Sequence, residues 1–273
     1  MVDSITLTAG LQNALQIQQR VSLDIDRTTE NIATGRNVNR AVDDPIAYFK
    51  ARDLSNRAGD LLQVKDSIGQ SLSTIESASI GLEALGRTVD QLRSIVSGAR
   101  GGTSEEREAA AELYDQVLQQ LDQLAGDTGY AGVSLTSGSP DSLDVTINDQ
   151  GDTLSVSGAA ADSTGLGVSS AVSVHNGFAT DADIDAALNE LGDARSAIRS
   201  RESAYLTDVS VLSVREQFSE DLSSTLQVGA DSLVNADIEE EAANLLALQV
   251  RQKLGVVSLN LIAEKGNAIA GLF

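Results

Sequence analysis

Apolar residues recur along most of the chain at alternating spacings of four and three, the repeat that keeps one stripe of a helix turned toward a partner. The first stripe runs through Leu7, Leu11, Ala14, Gln18, Val21, Ile25, Thr28 and Ile32 and predicts a helix that stops near Gly35. Asp43-Asp44-Pro45 restarts the helix. Carboxylates there can cap free N–H groups, and Pro in the first turn lacks only an N–H that would have no partner. The second stripe runs through Leu54, Ala58, Leu61, Lys65, Ile68, Leu72, Ile75, Ser79, Leu82, Leu85 or Gly86, Val89, Leu92 and Val96, before Gly98 and Gly101-Gly102. At about 1.5 Å per residue this is on the order of 80 Å of helix, too long to bury its seam in a small globule. Thr103 with Glu106 forms a capping box for a third helix carrying Leu113, Val117, Leu121 and Leu124, with a stop at Gly126.

From about Gly126 to Thr180 the pattern changes to Gly, Ser, Thr and Asp interrupted by short alternating runs. Leu143 to Ile147 and Thr153 to Val156 flank Asn148-Asp149-Gln150-Gly151 and read as β-hairpin structure. Helical spacing returns with Ile184, Leu188, Leu191, Ile198, Tyr205, Val209, Leu212 and Leu226, ending near Gly229. Asp237 with Glu240 is a further capping box, opening a helix with Leu245, Leu246, Leu248, Val256, Leu259, Leu261, Ile262 and Ile269. No repeat of solenoid period is present. The run to Leu272-Phe273 is apolar where chain ends are normally polar. Such a tail is covered either by its own domain or by neighbours. Because the first helix is equally amphipathic, both extremities carry apolar stripes, which together make a polymerisation surface. Its candidate residues are Leu7, Leu11, Val21, Ile25, Ile32, Leu245, Leu248, Val256, Leu259, Ile262, Ile269, Leu272 and Phe273.

Composition sharpens this reading. The 273 residues are 41% apolar but only 3% aromatic, with no Trp, so the core is Leu, Ile, Val and Ala, a mixture suited to packed helices. The length allows one elongated domain or two compact ones. Nineteen basic residues against 40 acidic ones give −21, which repels nucleic acid and anionic membranes. Cysteine is absent, which excludes disulfides and thiolate metal sites. No basic-apolar leader opens the sequence and no run has the length of a membrane span, so composition by itself predicts a soluble cytoplasmic protein. His175, the single histidine, supplies neither a zinc pair nor a catalytic triad and is expected at the surface. Asp181-Ala182-Asp183-Ile184-Asp185 begins like a calcium loop, but Ala186 and Gly192 stand where Gly and Glu are needed, and helix capping explains the acids better. Gly165-Leu166-Gly167 lacks the third glycine of a dinucleotide loop. Arg195, Arg199 and Arg201 interleave with Asp193 and Glu202 and are expected to form a solvated, salt-bridged face. No catalytic residue, cofactor site or metal site is expected, and the chain reads as a structural protein, not an enzyme.

Two stretches carry a resemblance. Ile32-Ala33-Thr34-Gly35-Arg36-Asn37-Val38-Asn39-Arg40-Ala41-Val42-Asp43-Asp44-Pro45 resembles the bacterial flagellin pattern of helix, Ser/Thr-Gly, Asn and a double-acid turn. Ala236 to Gly255, with Glu239-Glu240-Glu241 and Asn244-Leu245-Leu246-Ala247-Leu248-Gln249, is similar to the C-terminal signature of the same family. The resemblance covers roughly residues 5 to 135 and 185 to 273. It implies a mainly α fold, an elongated coiled-coil-like bundle of long helices from both chain ends with a small β-hairpin region in the middle: a minimal flagellin with a short variable region. The implied organisation is an inner-tube helix and spoke at 1–42, shell-domain rod helices at 43–129, the variable region at 130–180, a C-terminal rod helix at 181–230 and an inner-tube helix at 231–273. The implied role is the subunit of the flagellar filament, a helical homopolymer possible also with sister flagellins. Its implied partners are the flagellar export apparatus, an export chaperone, the filament cap and the hook-junction proteins, with neither nucleic acid nor membrane insertion. Type III export leaves no cleaved signal, which replaces the cytoplasmic reading with an extracellular one. The alternatives are the related hook-filament junction protein and a secreted receptor or adhesion ligand. Flagellins that engage the animal innate receptor carry a sequence like Gln-Arg-Val-Arg-Glu-Leu-Ala, from which Arg87-Thr88-Val89-Asp90-Gln91-Leu92-Arg93 departs, with Asp90 about where a key Arg would lie.

Overall fold

The periodic segments fold as helices. In the computed structural model, which describes residues 9–270, α1 spans Ala9–Thr34, α2 Pro45–Ala99, α3 Ser104–Asp127, α5 Asp181–Val234 and α6 Ile238–Ala270. Between α3 and α5 lie an antiparallel pair, β1 (Ser142–Thr146) and β2 (Thr153–Ser157), the single turn α4 (Ser163–Leu166) and a 3-10 turn at Asn176–Phe178. The fold is mainly α with one small hairpin, as expected; the segment after β2 forms turns instead of further strands.

The predicted caps form. Asp44 Oδ1 accepts from the N–H groups of Ile46 and Ala47 at 3.0 Å each, while Asp43 Oδ2 accepts from Asn39 and Arg40. Thr103 and Glu106 exchange both bonds of the capping box, and Asp237 Oδ1 receives the N–H groups of Glu239 and Glu240. At α5 the cap is a Thr180–Asp183 pair, in which Asp183 Oδ2 accepts from Thr180 N–H and Oγ1. Those two bonds hold the Asp183 carboxyl below its ordinary pKa. Asp181 and Asp185 pair instead with Arg107 and Arg100.

Two compact units result. Arg57–Ser224 forms one; Met1–Asn56 and Thr225–Phe273 together form the other, so the first is nested within the sequence of the second. In the nested unit the predicted seam of α2 is the core: Leu61, Ile68, Ile75, Leu82, Leu85, Val89, Leu92 and Val96 are buried, and from Ile68 onward they pack with Leu121 of α3 and with Ile184, Leu191, Ile198 and Leu212 of α5. Each such side chain contributes about 1.5 to 3 kcal/mol on burial. Leu143 and Val145 pair with Val156 and Leu154 on the inner face of the hairpin, and Val145 and Val156 close against that core. Ser223 Oγ donates to Ala58 O at 2.8 Å, and Lys65 in the α2 seam pairs with Glu220.

In the discontinuous unit a clasp joins the two segments. The N–H groups of Asn37 and Val38 donate to Val234 O at 2.8 and 3.2 Å, and Ala236 N–H returns a bond to Gly35 O at 3.0 Å. Gly35 supports this with φ +70°, a conformation costly for other residues. Val38, Ala51, Ala230 and Val234 form the small core beneath. The helix expected to end near Gly229 continues to Val234. Gly229 lies within that helix beside Leu54, where an added Cβ would make only an ordinary contact of 3.7 Å with Leu54 Cδ1, so this glycine neither ends the helix nor is demanded by its packing.

Three side chains differ from expectation. His175 is buried at 4% exposure, its Nε2 3.1 Å from Glu190 Oε2 and its ring stacked on Phe178, because the segment 169–178 folds down over α3 and α5. Arg201 donates to Gly165 O at 2.9 Å and is desolvated, which lowers its pKa. Arg195 reaches Asp90 on α2 at 3.4 Å, across a space that Gly86 keeps open. Arg195 and Arg201 are therefore used for contacts between segments, while Arg199 stays exposed as expected, with a local bond to Ser196.

Candidate assembly surface

α6 carries apolar residues around its circumference, and α1 covers one side of it. The two helices pack antiparallel: Asn31 Nδ2 donates to Glu241 Oε1 at 2.9 Å near one end, and Gln18 lies against Gly255 toward the other. The Gln18 side chain reaches into the space that a Cβ at Gly255 would take. The inner face of α6 is Glu241, Leu245, Leu248, Gln252, Gly255 and Leu259, half-buried at spacings of four and three. On α1, Val21, Thr28 and Asn31 are buried. Polar Asn31 at this seam is satisfied by Glu241, a bond that fixes register at the cost of apolar contact.

A second stripe lies on the uncovered side. Leu246, Val250, Leu254, Val257 and Leu261 follow one another at spacings of four, four, three and four, and every one is more than half exposed. On α1, Ile17 and Leu23 are 59% and 68% exposed, and Leu15 also faces outward. Large apolar side chains repeated on one helix face are an interaction surface. A helix apolar on all sides is stable only when all sides are covered.

The sequence candidates divide between these faces. Val21 is buried, and Ile25, Ile32, Leu245, Leu248 and Leu259 are half-buried, in the α1/α6 pair. Val256 is exposed. Leu11, Ile262 and Ile269 belong to the helices, but their side chains lie outside the described residues, as do Leu7, Leu272 and Phe273 altogether. Leu15, Ile17, Leu23, Val250, Leu254 and Val257 had not been singled out. On α6 their signal is a second set of four-and-three spacings, Leu246, Val250, Leu254, Val257 and Leu261, rotated from the first; Leu15, Ile17 and Leu23 follow no such spacing.

The remaining chemistry is sparse. Among the described residues no group of three or more His, Asp or Glu is placed to hold a metal ion, and no helix is long and apolar enough to cross a membrane. In the stretch compared with the receptor-binding sequence, Arg87 pairs with Glu83 and Asp90 with Arg195.

Comparison with known proteins follows the same outline. Residues 6–141 match the family model described as the bacterial flagellin N-terminal helical region. Flagellin FljM of Caulobacter vibrioides is 25% identical over 278 aligned positions, covering 100% of this chain and 99% of that one. A flagellin of Brucella melitensis is 24% identical and covers 99% of each. A crystal structure of Bacillus cereus flagellin superposes with a TM-score of 0.48 at 16% identity, over 56% of this chain and 88% of that chain.

Proposed function

The chain belongs to the bacterial flagellin family, and from that premise we propose that its two apolar helix faces are the contacts by which copies polymerise into the extracellular flagellar filament. The carrying observation is the stripe Leu246, Val250, Leu254, Val257 and Leu261, which the chain itself leaves open. Burial of each by neighbours would contribute on the order of 1.5 to 3 kcal/mol, so a few together offset the entropy of holding subunits in place. The filament subunit is favoured over the hook-filament junction protein because filament flagellins match the chain from end to end.

In this reading residues 1–42 and 231–273 form the inner tube with its spoke, 43–129 and 181–230 form the rods of a surrounding shell, and 130–180 is a short variable region on the shell. Export through the flagellar type III apparatus, with a chaperone, and contacts with the filament cap and hook-junction proteins complete its set of partners. The family is structural, and the chain's role is mechanical.

Seeding purified protein and imaging it by electron microscopy tests this directly. The native chain is expected to extend seeds into long filaments. Leu246→Asp with Val257→Asp is expected to stay monomeric while keeping its helical circular dichroism. Filaments of ordinary length from that double variant would exclude the outer stripe as a contact.

A further inference from the structure

The backbone at Asn176–Phe178 is left-handed at three successive residues, with φ of +49°, +63° and +60°. Glycine tolerates this; asparagine does so less readily and phenylalanine poorly. The turn persists because its surroundings hold it. Gly177 N–H donates to Ala171 O at 2.9 Å, and Phe178 N–H donates to His175 O at 2.8 Å. The Phe178 ring is fully buried, edge-on to Tyr114 at 5.7 Å and stacked on His175 at 6.4 Å. Ala171 is itself fastened, its N–H donating to Asp115 Oδ1 at 2.7 Å. The Asn176 side chain, by contrast, is exposed.

Asn176-Gly177 is the one Asn-Gly pair in the sequence. In this dipeptide the side-chain amide is open to the following backbone nitrogen, since glycine has no Cβ to shield it. We propose that Asn176–Gly177 is a deamidation site which the fold keeps locked and which becomes reactive when the turn opens. In the reaction the Gly177 nitrogen attacks Asn176 Cγ and a new C–N bond forms. The bond from Cγ to the side-chain nitrogen breaks, and ammonia leaves with the proton that the Gly177 nitrogen gives up. Water then opens the cyclic imide at either carbonyl, leaving aspartate or an isoaspartate whose backbone runs through the former side chain.

Two features hold the site back. The Gly177 proton that must leave is engaged by Ala171 O, and rotating Asn176 until Cγ meets the nitrogen undoes the left-handed turn that seats Phe178. The step therefore needs a local opening, whose free energy adds to the barrier. The product is not reversed by refolding: an isoaspartate adds a backbone methylene two residues before Phe178, which is packed at zero exposure. An unfolded chain accumulates this permanent mark faster than a folded one. Nothing in this chemistry depends on polymerisation.

Full-length protein is incubated in mildly alkaline buffer, folded and in urea, and mapped by peptide mass spectrometry with isoaspartate detection. In urea the one-dalton gain is expected first at residue 176, and Gly177→Ala should slow it there. The folded protein should react at least about tenfold more slowly, the factor supplied by an opening free energy of about 1.4 kcal/mol. Phe178→Ala, checked for retained helical dichroism, should raise the folded rate toward that in urea. Equal rates folded and unfolded, or earlier modification at another asparagine, overturn the proposal. So does a folded Phe178→Ala protein that reacts as slowly as the native one.

Discussion

Tyr114 and Tyr205 are both buried in the unit Arg57–Ser224, yet their hydroxyls meet different surroundings. Tyr205 OH donates to Leu135 O at 2.9 Å, whereas Tyr114 OH has no hydrogen-bond partner among the described residues. Removing the first leaves a buried carbonyl without that donor; removing the second relieves a desolvated hydroxyl. Tyr205→Phe is therefore expected to cost about 1 kcal/mol, and Tyr114→Phe to be neutral or stabilising, in urea unfolding. Burial first, then the negative charges of Glu190 and Asp115, push the Tyr114 pKa well above its ordinary value. The folded protein thus keeps a proton that the unfolded chain releases. Stability from this group is intact below about pH 10 and falls as pH rises past it. The same unfolding series at rising pH should show a shallower alkaline loss for Tyr114→Phe than for the native chain, and identical profiles would remove Tyr114 from the cause. None of this was legible in the sequence. Tyr114 and His175 owe their burial to the segment 169–178, fastened by Asp115 and Glu190 from two distant helices, and no local pattern reports such an attachment.

Helices and caps were legible because their causes are local. Asp44, Thr103 and Asp237 each cap N–H groups two or three residues ahead, and the α2 stripe states its buried face in its spacing. α6 was legible as a helix but not in its facing. With apolar residues on all sides it offers two seams, and the choice falls to contacts with α1, Asn31 with Glu241 and Gln18 with Gly255. The end of α5 is not legible because a glycine inside a helix and a glycine at a stop are the same letter; the helix runs on to Val234, whose carbonyl receives Asn37 and Val38 from far away in the sequence. Deleting residues 254–273 tests what α6 contributes. It removes Leu254, Val257 and Leu261 from the open stripe while leaving Arg57–Ser224 and its core whole. Filament formation and motility should be abolished, with the main thermal transition of the monomer nearly unchanged. A truncated chain that lost that transition would place α6 in the monomer's own core instead.

Charge is divided unequally over the molecule. Arg57–Ser224 holds 10 basic and 27 acidic residues, −17, against 9 and 13, −4, in the discontinuous unit. Copies brought together as a polymer repel chiefly through the nested unit. Added salt, which shortens the screening length to about 10 Å near 0.1 M, should lower the critical concentration for assembly measured by light scattering; assembly weakened by salt would show that ion pairs between copies outweigh the repulsion. The nesting has a consequence for the order of events in folding. Bringing α1 to α6 from an unfolded chain means closing a loop as long as Arg57–Ser224, an entropy cost of about 4 to 5 kcal/mol for a flexible segment. Once that segment has folded, Ala58 and Ser223 are already bonded to each other. The closure has then been made by the interior before the ends meet. Pairing of α1 with α6 becomes a short-range event that follows the nested unit, and a newly made chain can hold a finished interior while its two extremities still search for one another.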